Sequence, residues 1–80
     1  MKRADLKSIV AEVLEIEPSE LEADTNLRDF DTYDSVNVLM LMVALDEQAG
    51  IKLSPTDTKK LFTFGDLESI ATNQGIALTD

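Results

Sequence analysis

Between residues 17 and 34 the chain reads EPSELEADTNLRDFDTYD, with turn formers throughout and no sustained apolar period. In a chain of 80 residues, no other feature limits the fold so strongly. Connections inside compact domains mostly run to about 4–6 residues, and one of about 18 survives only if it is pinned. Leu21, Leu27 and Phe30 are spaced to do this, as apolar anchors under an ordered loop that crosses a bundle. The loop has room for one short helical turn.

The flanking segments are helical. Residues 3 to 16 place Leu6, Ile9, Val10, Val13 and Leu14 on one face, with Lys7, Glu12 and Glu15 on the other, and Pro18 closes the segment. Residues 35 to 49, SVNVLMLMVALDEQA, form the clearest helix, with Asp34 or Ser35 in the capping region and Gly50 as the stop. At about 100° per residue this helix is apolar on two sides. Val38, Leu41, Met42, Leu45 and Ala49 share one side; Val36, Leu39, Met40, Val43 and Glu47 share the other. A small bundle cannot bury both, which leaves one for a partner. Ile51-Lys52-Leu53 is a short link. Ser54-Pro55 opens a short helix through Leu61, Thr63 to Asn73 forms a last helix burying Leu67, Ile70 and Ala71, and IALTD is a tail after Gly75. The expected fold is all-α: a small antiparallel four-helix bundle, three main helices plus one short one, in a single domain over residues 1–80 with a long first loop.

Composition narrows the chemistry. Asp plus Glu number 16 against 7 Lys plus Arg, a net charge of -9. Such a chain repels phosphate backbones and anionic lipid and suits a basic patch on another protein. No nucleic-acid partner and no stable membrane insertion are expected, since no apolar run nears the roughly 20 residues of a bilayer span. The sequence contains no cysteine and no histidine, so a disulfide framework, a thiolate metal site and the commonest general base are absent. The N-terminus does not read as a secretory signal, and the default location is cytoplasmic. The acidic stretches Asp24 to Asp29 and Asp29 to Asp34 lack the glycine and glutamate of a calcium loop, and three scattered glycines make no phosphate cradle. An intrinsic enzyme is not expected, because Ser35 has no recognisable activating base.

What remains is Asp34-Ser35, within YDSVNVL, where the polar loop becomes the apolar helix. Alone, the pair reads as a common helix cap. In its setting it joins a wider pattern: the first amphipathic helix, EIEPSEL-x-x-DTNLRDF, D-S-V, VALDEQAGIKL and TFGDLESI. Across almost its whole length the chain resembles the acyl carrier protein family, the phosphopantetheine-binding carriers. The resemblance implies that Ser35 receives a 4′-phosphopantetheine arm from coenzyme A, attached by a phosphopantetheinyl transferase. The arm's thiol, which this chain lacks, then carries acyl groups as thioesters between acyl-loading and acyl-processing enzymes. It implies a discrete, monomeric carrier, with Asp34 either capping the helix or aiding recognition by the transferase.

Departures from the family pattern fall around that helix. Thr32 stands where many fatty-acid carriers have glycine, Val36 follows the serine in place of leucine, and Asn37 and Met40 replace acidic residues. Val36, Met40, Val43 and Glu47, with Asp34, are the candidate partner-recognition residues; the alternative is that the apolar ones are buried, for instance against Phe30. A specialised lipid or polyketide pathway fits this stripe. Two other readings stay open: an aminoacyl or peptidyl carrier for a non-ribosomal or cell-wall pathway, and an acidic helical adaptor without a prosthetic group. Val38, Leu41, Met42, Leu45, Leu67 and Ile70 are read as plain core before any role in sheltering an aliphatic chain.

Overall fold

In the computed structural model, which describes residues 1–80, four helices follow one another. They are α1 (Arg3–Leu14), α2 (Ser35–Ala49), α3 (Pro55–Lys60) and α4 (Phe64–Asn73). No helix is long and apolar enough to cross a membrane. The first helix stops two residues short of the expected end. Glu15 takes a left-handed conformation with φ 57°, and Ile16 N–H turns back to the Ala11 carbonyl at 3.0 Å. The bounds of α2 match the expected ones, and Gly50 ends it in the left-handed region at φ 68°.

The core draws on α1, α2, α4, the first loop and the links on either side of α3, while α3 itself buries no residue. Leu6, Val10 and Leu14 of α1 meet Leu41 and Leu45 of α2 and Phe64 and Leu67 of α4, all fully buried. Ile51 is fully buried too, so the link after α2 contributes to the same core. The first loop is ordered by two 3₁₀ turns, Pro18–Glu20 and Leu27–Asp29, where sequence suggested one. Its anchors lie where expected: Leu21 and Leu27 are fully buried, and Phe30 packs half-buried against the core.

Backbone contacts fasten this loop to the far end of the chain. Leu27 N–H donates to Phe62 O at 2.7 Å, Phe64 N–H to Thr25 O at 3.0 Å and Gly65 N–H to Ala23 O at 2.8 Å. Gly65 has to be glycine at this crossing, because a Cβ there would stand 2.8 Å from the Ala23 carbonyl oxygen. Arg28 adds a side-chain clamp. Its guanidinium donates to the carbonyls of Leu61 at 3.0 Å, Lys59 at 3.1 Å and Thr58 at 3.3 Å, and lies 3.9 Å from the centre of the Phe62 ring. The residues after α4 are also held. Arg3 N–H donates to Thr79 O at 2.7 Å and Thr79 N–H to Met1 O at 2.9 Å, while Arg3 pairs with Glu68 and Asp80.

Two reciprocal caps fix α3 and α4. Ser54 and Asp57 bond each other's backbone N–H at 3.0 and 3.1 Å, as Thr63 and Asp66 do at 2.9 and 3.1 Å. The Ser54 N–H lowers the Asp57 pKa, and the N–H groups of Thr63 and then Phe62 lower that of Asp66. Both groups lie below the ordinary value of 3.8 in the folded chain. Their stabilisation is present above 3.8 and is lost as pH falls through the lowered folded values. Acidification also relieves repulsion among the other carboxylates, so the signature lies in a difference. Urea midpoints measured from pH 6 down to pH 2 are expected to fall more for the native chain than for Asp57→Asn/Asp66→Asn. Parallel curves would show that these caps do not carry the charge effect.

Candidate functional site

Which residue caps α2 is settled by geometry. Asp34 is extended, at φ -124° and ψ 176°, and its Oδ1 accepts the Asn37 N–H at 2.8 Å. Ser35 is the first residue of the helix and is exposed. The cap and the nearby hydroxyl therefore belong to separate residues. Asn37 adds a second tie: its Nδ2 donates to the Thr32 carbonyl at 2.7 Å, locking the preceding turn onto the helix. Its amide, where the family pattern expects an acid, thus does structural work. Thr32 Oγ1 is buried in the same turn without a hydrogen-bond partner, a local cost borne by the segment that presents Ser35. Burial raises the Tyr33 phenol above its ordinary pKa, offset in part by the nearby Arg28 guanidinium.

Losing the Asp34 carboxylate leaves Asn37 N–H without its cap. Asp34→Ala is expected to cost about 1 kcal/mol, read as a lower urea midpoint with an unchanged slope. An unchanged midpoint would mean that water caps the helix equally well.

Ser35 lines a groove of about 550 Å³ between α2 and α3. Val38, Leu39 and Met42 supply apolar wall from α2, and Pro55 and Lys59 come from α3. Arg28 reaches the same groove from the loop. Two of the chain's 7 cationic side chains thus share a groove with the serine, against a net charge of -9. An anion joined to the Ser35 hydroxyl would meet positive charge and the positive end of the α2 dipole. A longer organic chain beyond it would lie along apolar wall. The donor set suits a phosphate-linked arm.

The second face of α2 is open. Val36 is 64% exposed, Leu39 62%, Met40 53% and Val43 55%, and Glu47 below them is exposed as well. Phe30 does not cover them, because it packs into the core. On the inner face Leu41, Leu45 and Leu67 are fully buried core, whereas Val38, Met42 and Ile70 are only half-buried. Plain packing accounts for the first three; Val38 and Met42 also line the serine's groove. Sequence reasoning left Leu39 out of the site, although the helical period places it with Val36 and Val43. Arg28 and Lys59 had no signal in sequence. The acidic loop that sequence reading tested for metal brings no group of three or more acidic side chains together as a cation site.

Comparison with known proteins agrees with this geometry. Residues 4–72 match the family model described as a phosphopantetheine attachment site. Over 63 residues the chain is 31% identical to the acyl carrier protein of Wolinella succinogenes, covering 79% of this chain and 83% of that one. It is 36% identical over 64 residues to the acyl carrier protein of Rhodococcus erythropolis, covering 80% of this chain and 70% of the relative. The fold is similar to the solution NMR structure of the holo acyl carrier protein from Geobacter metallireducens. The TM-score is 0.73 at 28% identity, over 86% of this chain and 79% of that one.

Proposed function

The chain belongs to the phosphopantetheine-attachment family of acyl carrier proteins, and from that premise we propose that Ser35 is its attachment residue and that it serves separate enzymes as a discrete carrier. The family's covalent prosthetic group supplies a terminal thiol on which acyl groups travel as thioesters. The observation that carries the reading is an exposed Ser35 hydroxyl at the start of α2, beside a groove that is cationic near Arg28 and Lys59 and apolar along Val38 and Met42.

Each part of the chain has a task in this reading. Asp34 caps the helix start and so fixes the backbone from which the Ser35 hydroxyl is offered to a phosphopantetheinyl transferase. The transferase supplies the base that the chain lacks. Arg28 and Lys59 neutralise the phosphodiester, and the apolar wall of the groove shields part of an aliphatic cargo. Val36, Met40 and Val43 present an apolar stripe to partner enzymes, with Glu47 and Asp34 as charged edges. The stripe favours partners other than those built only for acidic carriers, and so a specialised lipid or polyketide pathway.

The test is loading. Apo protein incubated with coenzyme A and a broad-specificity transferase is expected to gain mass, and the holo form to accept acyl groups from acyl-loading enzymes. Acceptance of aminoacyl groups alone would make it an aminoacyl or peptidyl carrier. No mass gain would leave the adaptor reading.

A further inference from the structure

Asn37 is bonded to two residues on the far side of Ser35. Its backbone N–H donates to Asp34 Oδ1 at 2.8 Å, and its Nδ2 donates to the Thr32 carbonyl at 2.7 Å. The same carbonyl accepts the Asp34 N–H at 3.0 Å, closing a three-residue turn centred on Tyr33. Both lone pairs of Thr32 O are therefore used, one from within the turn and one from α2. Tyr33 packs against the core, and its N–H donates to Phe30 O at 3.0 Å. Val38 N–H then starts the helical ladder on Asp34 O at 2.9 Å. All of these bonds hold backbone around Ser35, and none engages its hydroxyl. The turn keeps this shape with Thr32 Oγ1 buried and unpartnered, a cost that the two bonds to its carbonyl oppose.

We infer that, with Ser35 as the attachment residue proposed above, Asn37 is a positioning residue for its loading, acting through the Thr32–Asp34 backbone and not by contact with the transferase. In that reaction the Ser35 oxygen bonds to the β-phosphorus of coenzyme A. The bond from that phosphorus to adenosine 3′,5′-bisphosphate breaks, and the serine proton passes to the transferase's base. The rate depends on how well the serine oxygen lines up with phosphorus and the leaving oxygen. A hydroxyl turns about its own side-chain bond, so what the carrier can fix is the backbone from which it reaches. Removing the Asn37 amide removes the one hydrogen bond that an α2 side chain donates to this turn.

Charge separates positioning from docking. The Asn37 side chain is half-buried and aimed at a carbonyl oxygen. A carboxylate there would bring acceptor against acceptor and release the turn. A residue that met a basic enzyme surface would instead gain from the added negative charge.

Loading kinetics of the full chain with coenzyme A and the broad-specificity transferase, followed by intact mass, test this. Asn37→Ala is expected to lower kcat by at least about tenfold, with KM for the carrier held within about twofold. Asn37→Asp falls as far, and Asn37→Gln, which keeps the amide donor on a longer stem, recovers part of the loss. Exchange of the Asp34 N–H quickens in Asn37→Ala before any loading. Ile70→Val lowers the urea midpoint and leaves kcat unchanged, which separates alignment from stability. An unchanged kcat in Asn37→Ala, a change confined to KM, faster loading of Asn37→Asp than of the native chain, unchanged Asp34 exchange, or an equal loss in Ile70→Val would each overturn the inference. Any of these with native loading intact removes Asn37 and keeps the carrier. A native chain that gains no mass removes the attachment reading, and the role of Asn37 with it.

Discussion

Ser35→Ala is expected to abolish the mass gain from coenzyme A and transferase while leaving the fold intact. The loss should be complete, because the hydroxyl oxygen is the atom that would bond to phosphorus and no neighbour can replace it. Ser54 and Thr63 stand one position earlier relative to their helices, as the N-caps of α3 and α4, and each is engaged in a reciprocal cap. Those hydroxyls are committed to backbone N–H groups, and the Ser35 hydroxyl is not part of its helix's cap. The fold should hold because Asp34 makes the capping bond and Ser35 is exposed, a setting in which substitutions change stability by only about 0.5 kcal/mol. The check is intact mass after loading, paired with a urea curve. Mass gain that persists in the variant would move the attachment site elsewhere; loss of gain with loss of folding would be explained by structure alone.

Phe64→Ala is expected to have the largest effect on stability. Phe64 is fully buried and is the largest side chain in the core. It sits where the first loop meets α4, its N–H bonded to Thr25 O at 3.0 Å. Truncating a buried phenylalanine costs about 3–5 kcal/mol, out of a total of about 5–15 kcal/mol for an ordinary domain. In a chain of 80 residues the total belongs at the low end of that range. Urea denaturation should therefore show a midpoint reduced by more than half. A shift below about 1 kcal/mol would mean that the core relaxes into the space.

How much of this was legible from sequence follows the range of the forces involved. The bounds of α2 were, because Asp34, Ser35 and Gly50 act on their own neighbours. The buried positions of Leu21 and Leu27 were, because a loop so long requires anchors. The end of α1 was not, since Glu15 gives no local sign of its left-handed backbone. The hold on residues 76–80 was hidden for a different reason: Thr79 finds its partners across the molecule at Met1 and Arg3. The site divides the same way. Ser35 and the α2 stripe could be read from one helix, while Arg28 and Lys59 reach the serine's groove only through tertiary folding.

Arg28 is both a wall of the Ser35 groove and the tie between the first loop and the end of α3. Widening that groove by moving α3 breaks bonds to three carbonyls and separates the guanidinium from Phe62. If the proposed carrier opens this groove for a bulky cargo, that opening and local unfolding of the loop draw on the same contacts, which would link cargo size to loop protection thermodynamically. In the proposed carrier role, the contacts of this one side chain set what it costs to widen the groove beside Ser35.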